Sequence, residues 1–149
     1  SVLQRKAVRI MTFSDFDAHS NPLFKELKIL KVKDNIFLQN CLFVYDYFHS
    51  NLPKAFDNTF TKAADSHATL TRHANDGKIA HPSFNSTYNG LKSIYNICIN
   101  DWNKITSEQK LIDNEKRRNN KSHIPIDLHN IPRIKLKKII TNHFLEFYD

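Results

Sequence analysis

The chain has 149 residues, enough for one domain with a sizeable core, and its 11 Phe and 5 Tyr supply the bulk to fill that core. Only 2 Gly occur, which argues against sheet topologies because the turns and bulges between strands commonly need glycine. The formal net charge of +7 favours anionic partners, and no apolar stretch approaches the roughly 20 residues that a membrane-spanning helix requires.

Two helices are predicted in the first thirty residues. Leu3, Ala7 and Ile10 recur at helical spacing, which predicts an amphipathic helix whose basic residues fall mostly on other faces. Turn-forming residues follow in "SDFDAHSN". Asn21 is a suitable N-cap and Pro22 suits the first position of a helix, so a short second helix is predicted there.

The strongest helical pattern begins near Asp34, which is a candidate cap. Its apolar positions form one row at steps of three and four with a second row beside it: Phe37, Cys41, Val44, Phe48 and Leu52, then Leu38, Leu42 and Tyr45. An apolar face of that width is typical of a central, mostly buried helix. Pro53 ends the pattern, and "KAFDNTF" after it allows one more short turn.

Residues 61–90 are dominated by polar and turn-forming residues, so a loop-rich segment is predicted. A helical stripe resumes with Ile94, Cys98, Trp102 and Ile105, although "LKSIYNI" at its start also fits a short strand. The Asn-rich, charged stretch "NEKRRNNKSH" at 114–123 is predicted to be a loop.

A final helix is predicted from residues 130–132 onward. Its inner stripe is formed by Leu136, Ile140, Phe144 and Phe147. The predicted fold is therefore mainly α, an irregular bundle of about five helices with a loop-rich middle segment and at most one short strand pair. We expect one helical domain over 1–149, made of residues 1–60, 61–90 and 91–149.

No catalytic or metal-binding motif is recognised in the sequence. Eight His are scattered without the spacing of a zinc site, and no Gly-rich phosphate loop or CxxC pair occurs. Asp46 lies between two Tyr, but a two-metal site needs further carboxylates, so an exposed polar role is predicted. Cys41 and Cys98 each lie in an apolar run, which favours reduced core thiols in an intracellular protein, nuclear or cytoplasmic.

Three basic clusters are candidates for nucleic-acid binding. They are Arg5, Lys6 and Arg9; Lys116, Arg117, Arg118 and Lys121; and Arg133, Lys135, Lys137 and Lys138. Each cluster can neutralise phosphates and release counterions, or can be a solvated helix face whose side-chain stems cover apolar neighbours. Three clusters in a chain of this size favour anion binding.

The N-terminal third carries a recognisable pattern. "LQRKAVRI", "PLFKEL" and the "Q…F…Y…LP" helix resemble the region after the polymerase core in reverse transcriptases of non-LTR (LINE-like, jockey-type) retrotransposons. Further on, "TR" in "HATLTRHA", "WN" in "SIYNICINDWNKI" and the closing "IKLKKIITNHFLEFY" are similar to later pieces of that family. The chain departs from it where "WNKIT" replaces the family's "WN-x-LP".

The resemblance implies that the chain is part of a longer RNA-directed DNA polymerase, whose catalytic aspartates and magnesium belong to the polymerase core. No catalytic residue and no cofactor is expected in this chain. The implied partners are RNA or an RNA–DNA duplex and the upstream thumb and palm, with no membrane. On the resemblance, Arg72 joins Arg5, Lys6, Arg9, Lys116, Arg117, Arg118, Arg133, Lys135 and Lys138 as a candidate contact to backbone phosphates.

Two other functions stay open. The chain can be a helical scaffold for protein interactions, with its charge serving solubility, or a domesticated retroelement remnant without nucleic-acid binding. An independent enzyme is the class that the sequence supports least.

Overall fold

The computed structural model describes residues 1–66, 77–82, 93–119 and 126–148, and for residues 110, 111, 114, 115, 117 and 118 it describes the backbone only. The described chain is mainly helical, which confirms the predicted fold class. Its helices in chain order are α1 (Val2–Met11), α2 (Ser20–Glu26), α3 (Val32–Phe48), α4 (Ala63–Ser66), α5 (Ile94–Asn119) and α6 (Arg133–Glu146), with a 3₁₀ turn at Lys54–Phe56. None of these helices combines the length and apolarity that crossing a bilayer demands.

The described residues divide into two compact units. The terminal unit contains residues 1–39 and 137–149, and the middle unit contains residues 40–136. The expectation of a single domain over 1–149 stays a prediction, and each unit is described by itself below.

In the terminal unit, α1 is held by one apolar and one polar side chain. Val8 is the buried residue of the helix. Gln4 lies one turn earlier, where its amide nitrogen donates to the Leu30 carbonyl at 2.9 Å and its oxygen accepts from the Val32 N–H at 3.0 Å. Gln4 thereby satisfies backbone groups where the chain enters α3.

The apolar stripe predicted for α1 faces solvent. Leu3 is 77% exposed and Ile10 is 74% exposed, and Ala7 between them is exposed as well. The helical periodicity places these three residues on one face correctly, but Gln4 and Val8 lie on a different face, and that face is the one that packs.

The end of the chain packs into the terminal unit through Tyr148, which is 3% exposed. Its hydroxyl donates to the Asp34 carboxylate and accepts from the Lys31 N–H at 2.9 Å. The Lys31 ammonium lies 4.1 Å from the centre of the same ring, and Phe24 meets that ring edge-on at 6.1 Å. Tyr148 therefore joins an aromatic contact, a cation–π contact and two hydrogen bonds.

Three helices end on a non-glycine residue in the left-handed region: Phe13 (φ 52°), Lys28 (φ 53°) and Ser50 (φ 55°). Each is followed by a backbone hydrogen bond that closes the helix end, from Ser14 N–H to Arg9 O at 3.0 Å, from Ile29 N–H to Phe24 O at 3.0 Å and from Asn51 N–H to Asp46 O at 2.9 Å. Glycine is the usual residue at such a position, and this chain has only 2.

The predicted start of α2 is wrong by two residues. The helix begins at Ser20 with His19 as its N-cap, so Asn21 and Pro22 lie inside the first turn. Pro22 is tolerated at that place because the first N–H groups of a helix have no intrahelical acceptor.

In the middle unit, the broad apolar face predicted for the third helix is confirmed, except that the helix ends at Phe48 and Leu52 lies beyond it. The buried residues of α3 in this unit include Cys41, Val44 and Tyr45. Across from them α5 buries Cys98, Ile99, Trp102 and Ile105, and Asn40 donates to the Asp101 carboxylate at 2.7 Å. Both cysteines are free and buried, as predicted.

Helix α5 is longer than predicted. Residues 114–119, expected to be a loop, continue the helix, and the start of the segment is helical from Ile94 rather than a strand. The buried carboxylate of Asp113 accepts from the Gln109 amide at 3.1 Å and from the Ile126 N–H at 2.9 Å. These bonds are one reason that the helix persists into a charged, Asn-rich stretch.

The described part of 61–90 contains α4 and an isolated antiparallel bridge between Lys62 and Ile79, and no strand forms among the described residues. The Asn103 side chain on α5 accepts from the Ile79 N–H at 2.8 Å and donates to the Ile79 carbonyl at 2.9 Å. A side chain thereby occupies the backbone groups that a neighbouring strand would otherwise pair with.

Helix α6 begins at Arg133, within three residues of the predicted start. Leu136 and Ile140 are fully buried, and Phe144 meets Phe37 edge-on at 5.2 Å. Phe147 was predicted to be on the same inner stripe, but the helix ends at Glu146 and Phe147 is 72% exposed.

Candidate nucleic-acid interface

The lysines of α6 project from the helix into solvent. Lys135, Lys137 and Lys138 are exposed, while Leu136 between them is fully buried. Lys135 and Lys138 are three positions apart, so they lie on one face of the helix. Neither forms an ion pair with a carboxylate of the described residues.

Arg133, at the start of the same helix, is engaged by a carboxylate. Its Nε lies 2.9 Å from Asp46 Oδ1 and its Nη2 lies 3.0 Å from Asp46 Oδ2, which is a bidentate pair. The hydrogen bond to Asp46 raises the pKa of Arg133 above its ordinary value. A phosphate that approached Arg133 would therefore have to compete with a carboxylate that is already bound.

Asp46 is not the exposed polar residue that the sequence predicts. Only 16% of its side chain is accessible, because the Arg133 guanidinium covers it. Next to it on α3, the Tyr45 hydroxyl donates to the Ile131 carbonyl at 2.8 Å. Two consecutive residues of α3 thus position the start of α6 within the middle unit.

The basic residues of α1 differ from one another. Arg5 and Lys6 are exposed and form no ion pair with a described carboxylate. Arg9 is half-buried, and its Nε donates to the Ala18 carbonyl at 2.8 Å. Arg9 thus has a structural role in holding the turn that follows α1.

The remaining predicted contacts are placed only in part. Lys116 is exposed on α5. The side chains of Arg117 and Arg118 lie outside the described part of the structure, as do the residues Arg72 and Lys121.

Each unit carries exposed cations of its own. The terminal unit holds Arg5, Lys6 and Lys138, and the middle unit holds Lys116, Arg133 and Lys135. That the three basic clusters share one cationic surface stays a prediction.

A cleft of about 940 Å³ lies in the middle unit beside the 3₁₀ turn. Its wall includes the aromatic residues Tyr47, Phe48 and Phe56, and the Lys62 ammonium lies 5.2 Å from the centre of the Phe48 ring. Two lysines and two aspartates line it, so their formal charges cancel. The cleft therefore adds no net attraction for phosphate groups.

The two buried thiols of the middle unit are held in their neutral forms. Burial raises the pKa of the Cys98 thiol to about 11, with a further contribution from Asp101. Burial and the same carboxylate also raise the pKa of Cys41. Because the thiolate is the reactive form, these two residues are poor nucleophiles.

His129 is packed between two aromatic rings, Trp102 at 4.9 Å and Phe48 at 5.2 Å between centres. Its Nε2 lies 2.7 Å from the Gly77 carbonyl, so Nε2 carries the proton and donates. Its Nδ1 is buried and has no hydrogen-bond partner among the described residues. Burial is the main cause that lowers the pKa of His129.

No three metal-binding side chains converge anywhere in the part of the chain that the structure describes. The sequence did not reveal the groups that hold two of the predicted phosphate-binding residues. Asp46 binds Arg133, and the Ala18 carbonyl accepts from Arg9. Asp46 and Arg133 are 87 positions apart, and no local pattern connects them.

Comparison with protein-family models, with curated proteins and with solved structures finds no match for this chain.

Proposed function

We propose that this chain is the non-catalytic C-terminal nucleic-acid-binding region of a non-LTR retrotransposon reverse transcriptase, an RNA-directed DNA polymerase. It binds RNA or an RNA–DNA duplex through backbone phosphates. The sequence resemblance supports the family. The exposure of Lys135 and Lys138 on one face of α6, without a carboxylate partner among the described residues, is the observation that carries the binding function.

The contacts are electrostatic and directed at phosphates, so binding depends steeply on salt and weakly on base sequence. Arg5 and Lys6 on α1 are exposed in the same way and are further candidates. Arg133 contributes less, because Asp46 occupies two of its donors.

The proposal is tested with a labelled RNA–DNA hybrid, by fluorescence anisotropy between about 50 and 200 mM salt. We expect affinity to fall steeply with salt for the parent chain. In the double variant Lys135→Gln/Lys138→Gln, the slope of log affinity against log salt should shrink by about two, roughly one for each lost phosphate contact.

The matched control is Lys33→Gln/Lys54→Gln, which removes the same charge from two other exposed lysines and should keep the parent slope. No measurable binding at about 50 mM salt, or an affinity indifferent to salt, would reject the proposal. Equal losses in the two double variants would assign binding to net charge and would reject α6 as the binding site.

A further inference from the structure

The outer face of α1 is apolar and is left uncovered. Leu3, Ala7 and Ile10 follow one another at i, i+4 and i+7, and all three are exposed. Met11, one turn beyond Ala7, is 58% exposed. We call Leu3, Ala7, Ile10 and Met11 the α1 stripe. An amphipathic helix that inserts into a groove of another protein carries anchors at this spacing.

Two aromatic side chains that follow the helix are exposed as well. Phe13 is 98% exposed and Phe16 is 80% exposed in the turn after α1.

The contacts that hold α1 in the fold leave the α1 stripe free for a partner. Gln4 and Val8 hold the helix from another face, and Arg9 is tied to the following turn. The helix is therefore anchored by contacts that a partner on the α1 stripe does not displace.

The charges select the kind of partner. α1 carries Arg5, Lys6 and Arg9 and no carboxylate, and Lys6 lies beside the α1 stripe on the helix surface. We propose that α1 is a docking helix for a partner protein that offers an apolar groove with an acidic rim. A basic amphipathic helix is the complement of such a groove.

Two other occupants fit less well. A second copy of this chain would bring two sets of α1 cations together with no carboxylate on either helix. An anionic membrane would meet the exposed carboxylates of Asp15 and Asp17 in the turn after the helix and would be repelled there, whereas a groove that takes up α1 alone does not have to reach that turn.

The test uses calcium-loaded calmodulin as the probe, because it presents an apolar groove of this class, and calcium-free calmodulin as the closed control. Binding to the full chain is measured by isothermal titration calorimetry. We expect micromolar affinity with calcium and none without it. Leu3→Gln/Ile10→Gln should weaken binding at least tenfold, since two apolar anchors are lost.

The control variant Ile94→Gln/Ile134→Gln removes two other exposed isoleucines, which are 67% and 72% exposed, and should bind within twofold of the parent. The proposal is overturned by absence of binding at about 100 μM, or by equal losses in both variants. It is also overturned if the parent chain instead dimerises, or sediments with anionic vesicles, in a manner that Leu3→Gln/Ile10→Gln abolishes.

The docking proposal is independent of nucleic-acid binding. Leu3→Gln/Ile10→Gln keeps every lysine and arginine, so its affinity for the RNA–DNA hybrid should equal that of the parent. Each proposal can therefore be rejected by its own experiment while the other proposal stands.

Discussion

Lys28 occupies a backbone conformation that suits glycine better than lysine. It ends α2 at φ 53° and is exposed. A left-handed conformation costs a non-glycine residue about 1–2 kcal/mol. Glycine removes this cost, but it also increases the entropy of the unfolded chain, which cancels part of the gain in stability. Phe13 and Ser50 carry the same cost at two other helix ends.

We therefore expect Lys28→Gly to raise the free energy of unfolding by about 0.5–1 kcal/mol in urea denaturation. Lys33→Gly is the matched control, because Lys33 is equally exposed but lies within α3, where glycine should destabilise by up to about 1 kcal/mol. The two substitutions remove the same charge and should act with opposite sign. A loss of stability in both variants would contradict this account.

His129 makes the stability of the fold depend on pH. Its folded-state pKa lies below its ordinary value, chiefly because of burial, with the nearby Lys62 acting in the same direction. Protonation would place an N–H on the buried Nδ1, which has no acceptor among the described residues. A group with a depressed folded pKa stabilises the fold above its unfolded pKa, about 6.5 for histidine, and that stability is lost as the pH falls through the folded pKa.

We expect the free energy of unfolding of the parent chain, compared with that of His129→Gln, to fall as the pH drops below about 6.5, by at most about 1.4 kcal/mol per pH unit. The measurement is urea denaturation at a series of pH values. His19→Gln, a change at an exposed histidine, should keep the pH dependence of the parent. A parent and a His129→Gln variant with parallel pH profiles would show that the ring is not held neutral.

At the scale of the elements, the pair between Asp46 and Arg133 fixes where α6 begins relative to α3 in the middle unit. The Arg133 side chain is 50% exposed, so solvent screens the pair and its net contribution to stability is modest. A bidentate geometry places it at the upper end of the range for surface pairs.

A double-mutant cycle with Asp46→Ala and Arg133→Ala should give a coupling free energy of about 0.5–1 kcal/mol in urea denaturation. In binding to the RNA–DNA hybrid, Arg133→Ala should reduce the slope of log affinity against log salt less than Lys135→Ala does, because Asp46 already neutralises Arg133. Additive stability effects would show that the pair is not formed in solution. A larger binding loss for Arg133→Ala would identify Arg133 as a direct phosphate contact.

At the scale of the whole molecule, periodicity predicts the helical class and the buried stripes of α3, α5 and α6, because a core must cover apolar faces. At α1 the same periodicity does not identify the buried face. Spacing shows that Leu3, Ala7 and Ile10 share a face, and it does not show whether the protein turns that face inward. The contacts that decide it are the hydrogen bonds of Gln4 to backbone groups 26 and 28 positions away.

At the candidate site, too, some features are predicted by the sequence and others depend on tertiary contacts. Composition identifies the lysines of α6 as cationic and solvent-facing, and the structure places Lys135 and Lys138 accordingly. The tie between Arg133 and Asp46 depends on tertiary proximity, so no local rule could separate Arg133 from its neighbours. The loop prediction at 114–119 is wrong for a related reason, since the Ile126 N–H that donates to the buried Asp113 carboxylate lies beyond the helix and is brought there only by the fold.

The two buried thiols have a practical consequence for studying this protein. With the pKa of Cys98 near 11, roughly one molecule in ten thousand carries its thiolate at pH 7, and Cys41 is buried as deeply. Maleimide dyes would leave both unmodified in the native fold. One cysteine engineered on the surface, for example Lys54→Cys, would then accept a fluorophore selectively without removal of the native thiols.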